Sequence, residues 1–295
     1  MPTLPICWVD AFTDRPLAGN ACAVVFDADD LDDATMLAIA DEIHLAETAF
    51  VRRSRIADIA ARYFTPAEEI PLAGHPTIAT IHALVEAGRL RLAGERTTIS
   101  LELKDGPVSV DVVTSGGKHK IVMSQRKPRF LSTHAAAEVL PMFGLNPADL
   151  LTGAVIQTVS TGTTGLMVPL RSLESLRAAV LDVAAYRAYH ARSDFFSPHL
   201  FCLQGATPAG RTFARQFGVP PDLPEDPFTG SATGSMAAYC WRYGLIDQPV
   251  FLAEQGHWMG RPGVAEVEVV GPRHDIETVR VGGTAVTLMR GELKL

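Results

Sequence analysis

No apolar run in this sequence approaches the ~20 residues that span a bilayer, which argues against a helical membrane anchor. Basic residues are outnumbered: 26 Lys and Arg against 33 Asp and Glu leave a net charge of −7. With no cationic excess to neutralise phosphates, nucleic acid is not an expected partner. A small anion is still possible, because local dipoles can oppose the net charge. Cysteines are few and scattered (Cys7, Cys22, Cys202, Cys240), with no Cys-x-x-Cys pair, so reduced thiols in a cytoplasm are expected rather than a disulfide framework. Zinc-type Cys/His pairs and His-Glu-x-x-His are missing, and no metal is expected. Neither a Walker A loop nor Gly-x-Gly-x-x-Gly occurs, which lowers NTPase and dinucleotide readings. Residues 1–7 carry no basic side chain and Asp10 interrupts the first apolar stretch, so no secretory signal is expected.

What is plentiful is turn chemistry, with 24 Gly and 20 Pro. Pro5 to Phe12 and Ala21 to Phe26 read as strands, separated by the turn-rich Thr13–Asn20 segment. Asp32 and Asp33 open an amphipathic helix with Met36, Ile39, Ala40 and Ile43 on one face. Strands are expected at Glu47–Val51, Ile59–Thr65, around Ile99–Leu103 and Val108–Val112, then near 155–160, 166–169 and 200–203. Helices are expected at 170–180 and 183–191. Gly282-Gly283, between Val279/Val281 and Val286/Leu288, reads as a two-residue hairpin turn.

An internal repeat organises the chain. Glu69, Pro71, Gly74, Thr77 and Gly88 match Glu225, Pro227, Gly230, Thr233 and Gly244, every pair as far apart as Gly230 is from Gly74, an offset of 156. Arg62-Tyr-Phe64 has a looser echo in Arg211-Thr-Phe213. Two similar halves related by a pseudo-twofold axis follow, each a sheet plus one special helix. Those helices, 78–87 and 236–241, are apolar nearly all round, and so are expected to be buried on every face.

Each repeat puts a glycine at the start of such a helix: Gly74 before His75, and Gly230 before Ser231. A helix start offers unpaired N–H groups and roughly half a positive charge, and glycine lets an anion approach. Two such ends across one cleft would suit a carboxylate, or the enolate formed beside one. Glu47, in Ala46-Glu-Thr-Ala-Phe50, is the candidate base, partial burial raising its pKa; a solvated strand-end Glu is the plain alternative. Asp226 is either an acid at a helix start or a proton relay, His75 either a helix-opening polar residue or an acid/base group. Asn20 reads as a turn residue or a ligand.

The strings Val9-Asp-Ala-Phe-Thr-Asp-Arg-Pro-Leu-Ala-Gly-Asn20, Ala46–Phe50, Arg62–Pro66, Pro71–Thr77, Ser160-Thr-Gly, Glu225–Ala232 and Gln255–Pro262, in that order, resemble the PhzF family of phenazine-biosynthesis-type isomerases. That resemblance implies the diaminopimelate epimerase fold: α+β, with two pseudo-symmetric domains, each a curved, mostly antiparallel sheet wrapped around a central helix. It implies domains at 1–127 with 280–295 returning, and at 128–279, with the active site between them. It places Glu47 on the family's catalytic glutamate, Gly74 and His75 on its Gly-His pair, Asp226 on its aspartate, and Gly230 and Ser231 on its Gly-Ser pair. It further implies proton transfer without a cofactor, and a homodimer. Ala73 and Thr229 stand where related epimerases carry catalytic cysteines, so the two-thiol machinery of racemases is missing.

The function expected is a cofactor-independent isomerase acting on a small carboxylate-bearing molecule. Glu47 would move the proton, His75 and Asp226 would tune or relay it, and Asn20, Gly74, Gly230 and Ser231 would bind the substrate. A non-catalytic small-molecule-binding or regulatory module is the rival reading. A thiol-dependent epimerase using Cys22 or Cys240 is a weaker third.

Overall fold

The computed structural model describes residues 3–295. Its first half runs β1 (Thr3–Ala11), β2 (Asn20–Val25), α1 (Asp33–Ile43), β3 (Glu47–Arg52), β4 (Ile59–Phe64), β5 (Glu69–Ile70), α2 (Gly74–Glu86), β6 (Arg96–Leu103), β7 (Gly106–Ser115) and β8 (Lys118–Ser124). The second runs β9 (Arg129–His134), α3 (Ala136–Val139), β10 (Ile156–Ser160), β11 (Thr164–Pro169), α4 (Leu173–Ala178), α5 (Val183–His190), β12 (Ser197–Cys202), β13 (Thr212–Phe217), β14 (Glu225–Asp226), α6 (Gly230–Arg242), β15 (Val250–Gln255), β16 (Gly263–Val270) and β17 (Thr278–Gly283), followed by β18 (Ala285–Lys294). The class is α+β and the sheet mostly antiparallel, as the sequence led us to expect.

The two halves repeat one pairing scheme. β1 is antiparallel to β2, β2 parallel to β3, β3 antiparallel to β4, β4 parallel to β6, and β6, β7 and β8 follow antiparallel. The series β10, β11, β12, β13, β15, β16, β17 reproduces it pair for pair. The last members of the two series, β8 and β17, pair with each other. The chain crosses between the series twice: β9 leaves β8 to pair with β10, and β18 leaves β17 to pair with β1.

That crossing corrects the hairpin expected at Gly282-Gly283. Both glycines lie inside β17, where both pair with β8 and Gly282 also pairs with β16. Their value is close approach rather than a turn: a Cβ on Gly283 would sit 2.5 Å from the Phe12 ring. The echo of Arg62-Tyr-Phe64 is corrected too. Arg62 forks onto Glu69 of β5, and its counterpart in the ladder is Arg215, which forks onto Glu225 of β14. The matching string is Arg215-Gln-Phe217; the longer loop before β14 breaks the constant offset there.

Each half wraps its sheet around one helix, α2 or α6. In α2, Gly74–Ile81, Ala83 and Leu84 are all buried; in α6, Gly230 and Ala232–Cys240 are. The small faces at Ala79, Ala83, Ala237 and Ala238 let strands pack close on the helices. One apolar cluster runs through both halves, and smaller ones lie beneath α1 and beneath the α4–α5 layer. Among the described residues no helix is long and apolar enough to cross a membrane.

Candidate active site

The helices α2 and α6 meet tip to tip. A Cβ on Gly74 would lie 2.6 Å from the Gly230 Cα and 2.8 Å from the Ser231 nitrogen. Only two glycines permit that contact. Neither helix start carries a side-chain cap, the N-cap residues being Ala73 and Thr229. The first-turn amides and the positive ends of both dipoles therefore converge on one point. Phe12 holds the junction from below. It takes a left-handed φ of 61°, which swings its ring out of line with β1 and onto Phe228, with centroids 4.3 Å apart. A positive φ is strained for a bulky residue, and such strain gathers at functional sites.

Beside this junction lie the three expected proton-transfer residues. Glu47, His75 and Asp226 each present a donor atom within 4.8 Å of the others'. Glu47, first residue of β3, sets Oε2 3.1 Å from Nε2 of His75. The contact is off the line of a good hydrogen bond, and both atoms are left without a hydrogen-bond partner. Asn20 begins β2 and is buried. Its Nδ2 donates to Asp226 Oδ1 (2.6 Å) and to the Phe228 carbonyl (2.9 Å), and lies 2.9 Å from His75 Nδ1. It opens a strand and hydrogen-bonds within the trio, rather than serving only as a turn residue. The loop that delivers it is tied down by Arg261, which donates to the carbonyls of Ala18 and Gly19 and to the buried Asp10. Residues 9–20 and 255–262, two of the strings singled out above, thus brace one another.

Burial dominates the electrostatics. It holds Glu47 well above the ordinary carboxylate range, with the facing carboxyls of Asp226 and Asp222 adding to the effect. It pushes Asp226 up to about 6, against the opposing hydrogen bonds from Thr229 and Asn20. It draws His75 down to about 3, so the imidazole is neutral at ordinary pH. Two carboxyls and a neutral histidine in one largely buried corner can hold and exchange a proton near neutrality. The trio could also be set around a divalent cation, but both Asp226 oxygens already accept hydrogen bonds, from Asn20 and Thr229.

A cavity of about 660 Å³ opens onto this corner, and Glu47, Asp226 and Ser231 line it, with the N-cap residues Ala73 and Thr229. Gly74 and Gly230 are buried just behind, where they shape the junction. Three contributors were not anticipated. Thr229 donates to Asp226 Oδ2 at 2.5 Å. Gln255 donates to the Asp226 carbonyl (2.7 Å) and accepts from the Thr229 N–H (3.1 Å). Asp222, also on the cavity wall, has its carboxyl raised by burial. Gln255 opens one of the quoted strings, so a signal existed; nothing about Asp222 distinguishes it from any loop acid. Cys22 and Cys240 are fully buried, their thiols pushed up by burial, and neither lines the cavity, which removes the basis for thiol chemistry.

The chain matches the model of the phenazine biosynthesis-like proteins, PhzC-PhzF, over residues 9–291. It is 34% identical over 294 residues to the trans-2,3-dihydro-3-hydroxyanthranilate isomerase of Pseudomonas fluorescens, covering 97% of this chain and 98% of the relative. Identity to the uncharacterized isomerase YfhB of Bacillus subtilis is also 34%, over 279 residues and 94% of both chains. The crystal structure of a PhzF-family phenazine biosynthesis protein from Bacillus anthracis superposes with a TM-score of 0.88 at 30% identity, covering all of both chains. The chain belongs to the phenazine biosynthesis-like PhzC-PhzF family, and it is an isomerase.

Proposed function

We propose that this isomerase moves a proton between two carbons of a small organic acid, using only its own side chains. The observation that carries the reading is the unpartnered contact between Glu47 and His75 beside the joined tips of α2 and α6. The substrate carboxylate sits against the first-turn amides, where the dipoles favour negative charge. Glu47 takes a proton from the activated carbon, and the electron pair moves into the conjugated system as charge stabilised by the helix tips. The same carboxyl returns the proton to another carbon, so no atom or electron is gained or lost. Neutral His75, linked through Asn20 to Asp226, orients Glu47 while that carboxyl carries the proton from one carbon to the other. The lifted pKa of Glu47 supports this role, since a base works best near ambient pH.

The two-domain division given above, with the site between the domains, is part of this proposal, as are the homodimer and the independence from cofactors. The dihydro-hydroxyanthranilate acted on by the Pseudomonas relative is a conjugated cyclic carboxylate and the natural first substrate to offer. The test is incubation with it in D₂O, with mass spectrometry of substrate and product. Deuterium incorporation should be seen with the wild type and lost in Glu47→Gln. Undiminished incorporation in that variant defeats the assignment of Glu47.

A further inference from the structure

The pairing ladder identifies a second cavity residue at the position Glu47 occupies in the other half. Arg62 and Arg215 set the register, each forked onto the glutamate of its neighbouring short strand. Across the sheet, Arg62 pairs with Phe50 and Arg215 with Leu200. Three residues earlier on those strands stand Glu47 and Ser197, each also paired to a parallel neighbour, Cys22 and Gly165. Ser197 lines the same cavity as Glu47. Positions related by a twofold lie on opposite sides of its axis.

Ser197 is held in a definite state. Gln216 donates from Nε2 to its Oγ at 2.5 Å, and Gln216 Oε1 lies 2.8 Å from Nδ1 of the fully buried His199. An amide oxygen only accepts, so His199 Nδ1 carries the proton and its Nε2 is bare, consistent with that atom having no partner. Reversing the amide would instead strand a buried N–H donor, the costlier arrangement. His199 thus fixes the amide, and the amide occupies the serine oxygen as a donor. The hydroxyl hydrogen has no acceptor among the described residues and is left for the cavity.

We propose that Ser197 is a substrate-binding residue that donates a hydrogen bond to a carboxylate or carbonyl oxygen of the organic acid from the side opposite Glu47, with Gln216 and His199 as its positioning residues. This rests on the proton-transfer reading of the cavity. The division of labour has a physical reason. A second carboxylate opposite Glu47 would repel an anionic substrate, whereas a hydroxyl locked as a donor attracts it without titrating.

The test measures binding of 3-hydroxybenzoate by calorimetry, alongside deuterium incorporation into the dihydro-hydroxyanthranilate offered above, for Ser197→Ala, Ser197→Thr and Gln216→Glu. Ser197→Ala should weaken binding by about 10- to 100-fold, the loss expected of one hydrogen bond to a charged acceptor. Ser197→Thr should restore it. Gln216→Glu replaces the donor with an acceptor, turns the serine hydrogen away from the cavity, and should weaken binding as Ser197→Ala does. Unchanged binding in Ser197→Ala, or in a folded Gln216→Glu, overturns the assignment while leaving the reading of Glu47 intact if exchange persists. A wild-type protein that neither binds the probe nor exchanges deuterium overturns both.

Discussion

Glu47 and Asp226 face each other in a corner where burial outweighs every compensating bond, and the consequence is a pH dependence of fixed sign. Asp226 holds its proton up to about 6, against about 3.9 for a free aspartate. The native state therefore binds that proton more tightly than the unfolded chain. The stability this confers is full below about pH 4 and is lost as pH rises through 6. Asp226→Asn carries no charge at any pH. Its stability relative to wild type should be greater at about pH 8 than at about pH 4, by on the order of 1–3 kcal/mol, in urea melts at the two pH values. A difference that does not vary with pH would contradict the lifted pKa. For catalysis the dependence runs the other way, because a base must first lose its proton. The rate should rise with pH through a limb well above the ordinary carboxylate range. Glu47→Gln should remove that limb and lower kcat by about 10²- to 10⁴-fold. Glu47, His75 and Asp226 were legible as candidates from their strings. Their mutual distances were not, because 179 positions of chain separate Glu47 from Asp226 and only the sheet brings them together.

At the scale of elements, the joined tips of α2 and α6 make an asymmetric demand on two glycines that look alike in the repeat. A methyl on Gly74 first meets backbone: the Gly230 Cα, its carbonyl carbon and the Ser231 nitrogen, at 2.6 to 2.8 Å. Backbone of two packed helices cannot step aside. A methyl on Gly230 first meets the Phe12 ring, at 2.8 Å and 3.0 Å, and then the Gly74 Cα at 3.1 Å. A ring can tilt. Gly74→Ala should therefore cost the more, at or beyond the upper end of the ~1–3 kcal/mol typical of overpacking, and Gly230→Ala less. Thermal melts of the two variants check the order, and Gly74→Ala should also lose deuterium exchange by prising the site open. The sequence marked these helices as buried through their apolar circumference. It misplaced the role of Gly282-Gly283 because a Gly pair between β-branched runs is the usual signature of a hairpin. Here the same lack of side chains serves Phe12, a demand from a distant part of the chain that no local pattern records.

For the whole molecule, the pairing of β8 with β17 and the exchange of β9 and β18 tie each half to the other. The apolar cluster around α2 continues into that around α6 without a break. Neither half can unfold without stripping a strand and a helix tip from its neighbour. We expect one cooperative thermal transition with calorimetric and van't Hoff enthalpies in agreement, rather than two separable steps. Removal of residues 285–295 should abolish the native fold, since β1 loses the partner that pairs along its whole length, from Thr3↔Lys294 to Ala11↔Ala285. A truncated chain that retained the native near-UV spectrum would refute this.

What the sequence by itself determined is local and repetitive: alternation that makes strands, caps that start helices, two apolar rods each opening on glycine, and a duplication that predicts two like halves. Those features depend on near neighbours or on copies of one pattern, and a linear string preserves both. Tertiary structure alone decided which atoms face which. Asn20 became the link between His75 and Asp226, Thr229 came to brace the Asp226 carboxyl and Gln255 its backbone carbonyl, and Ser197 fell on the twofold counterpart of Glu47. Each of those outcomes depends on strand register across the sheet, and register is set by the packing of the whole core rather than by any segment read alone.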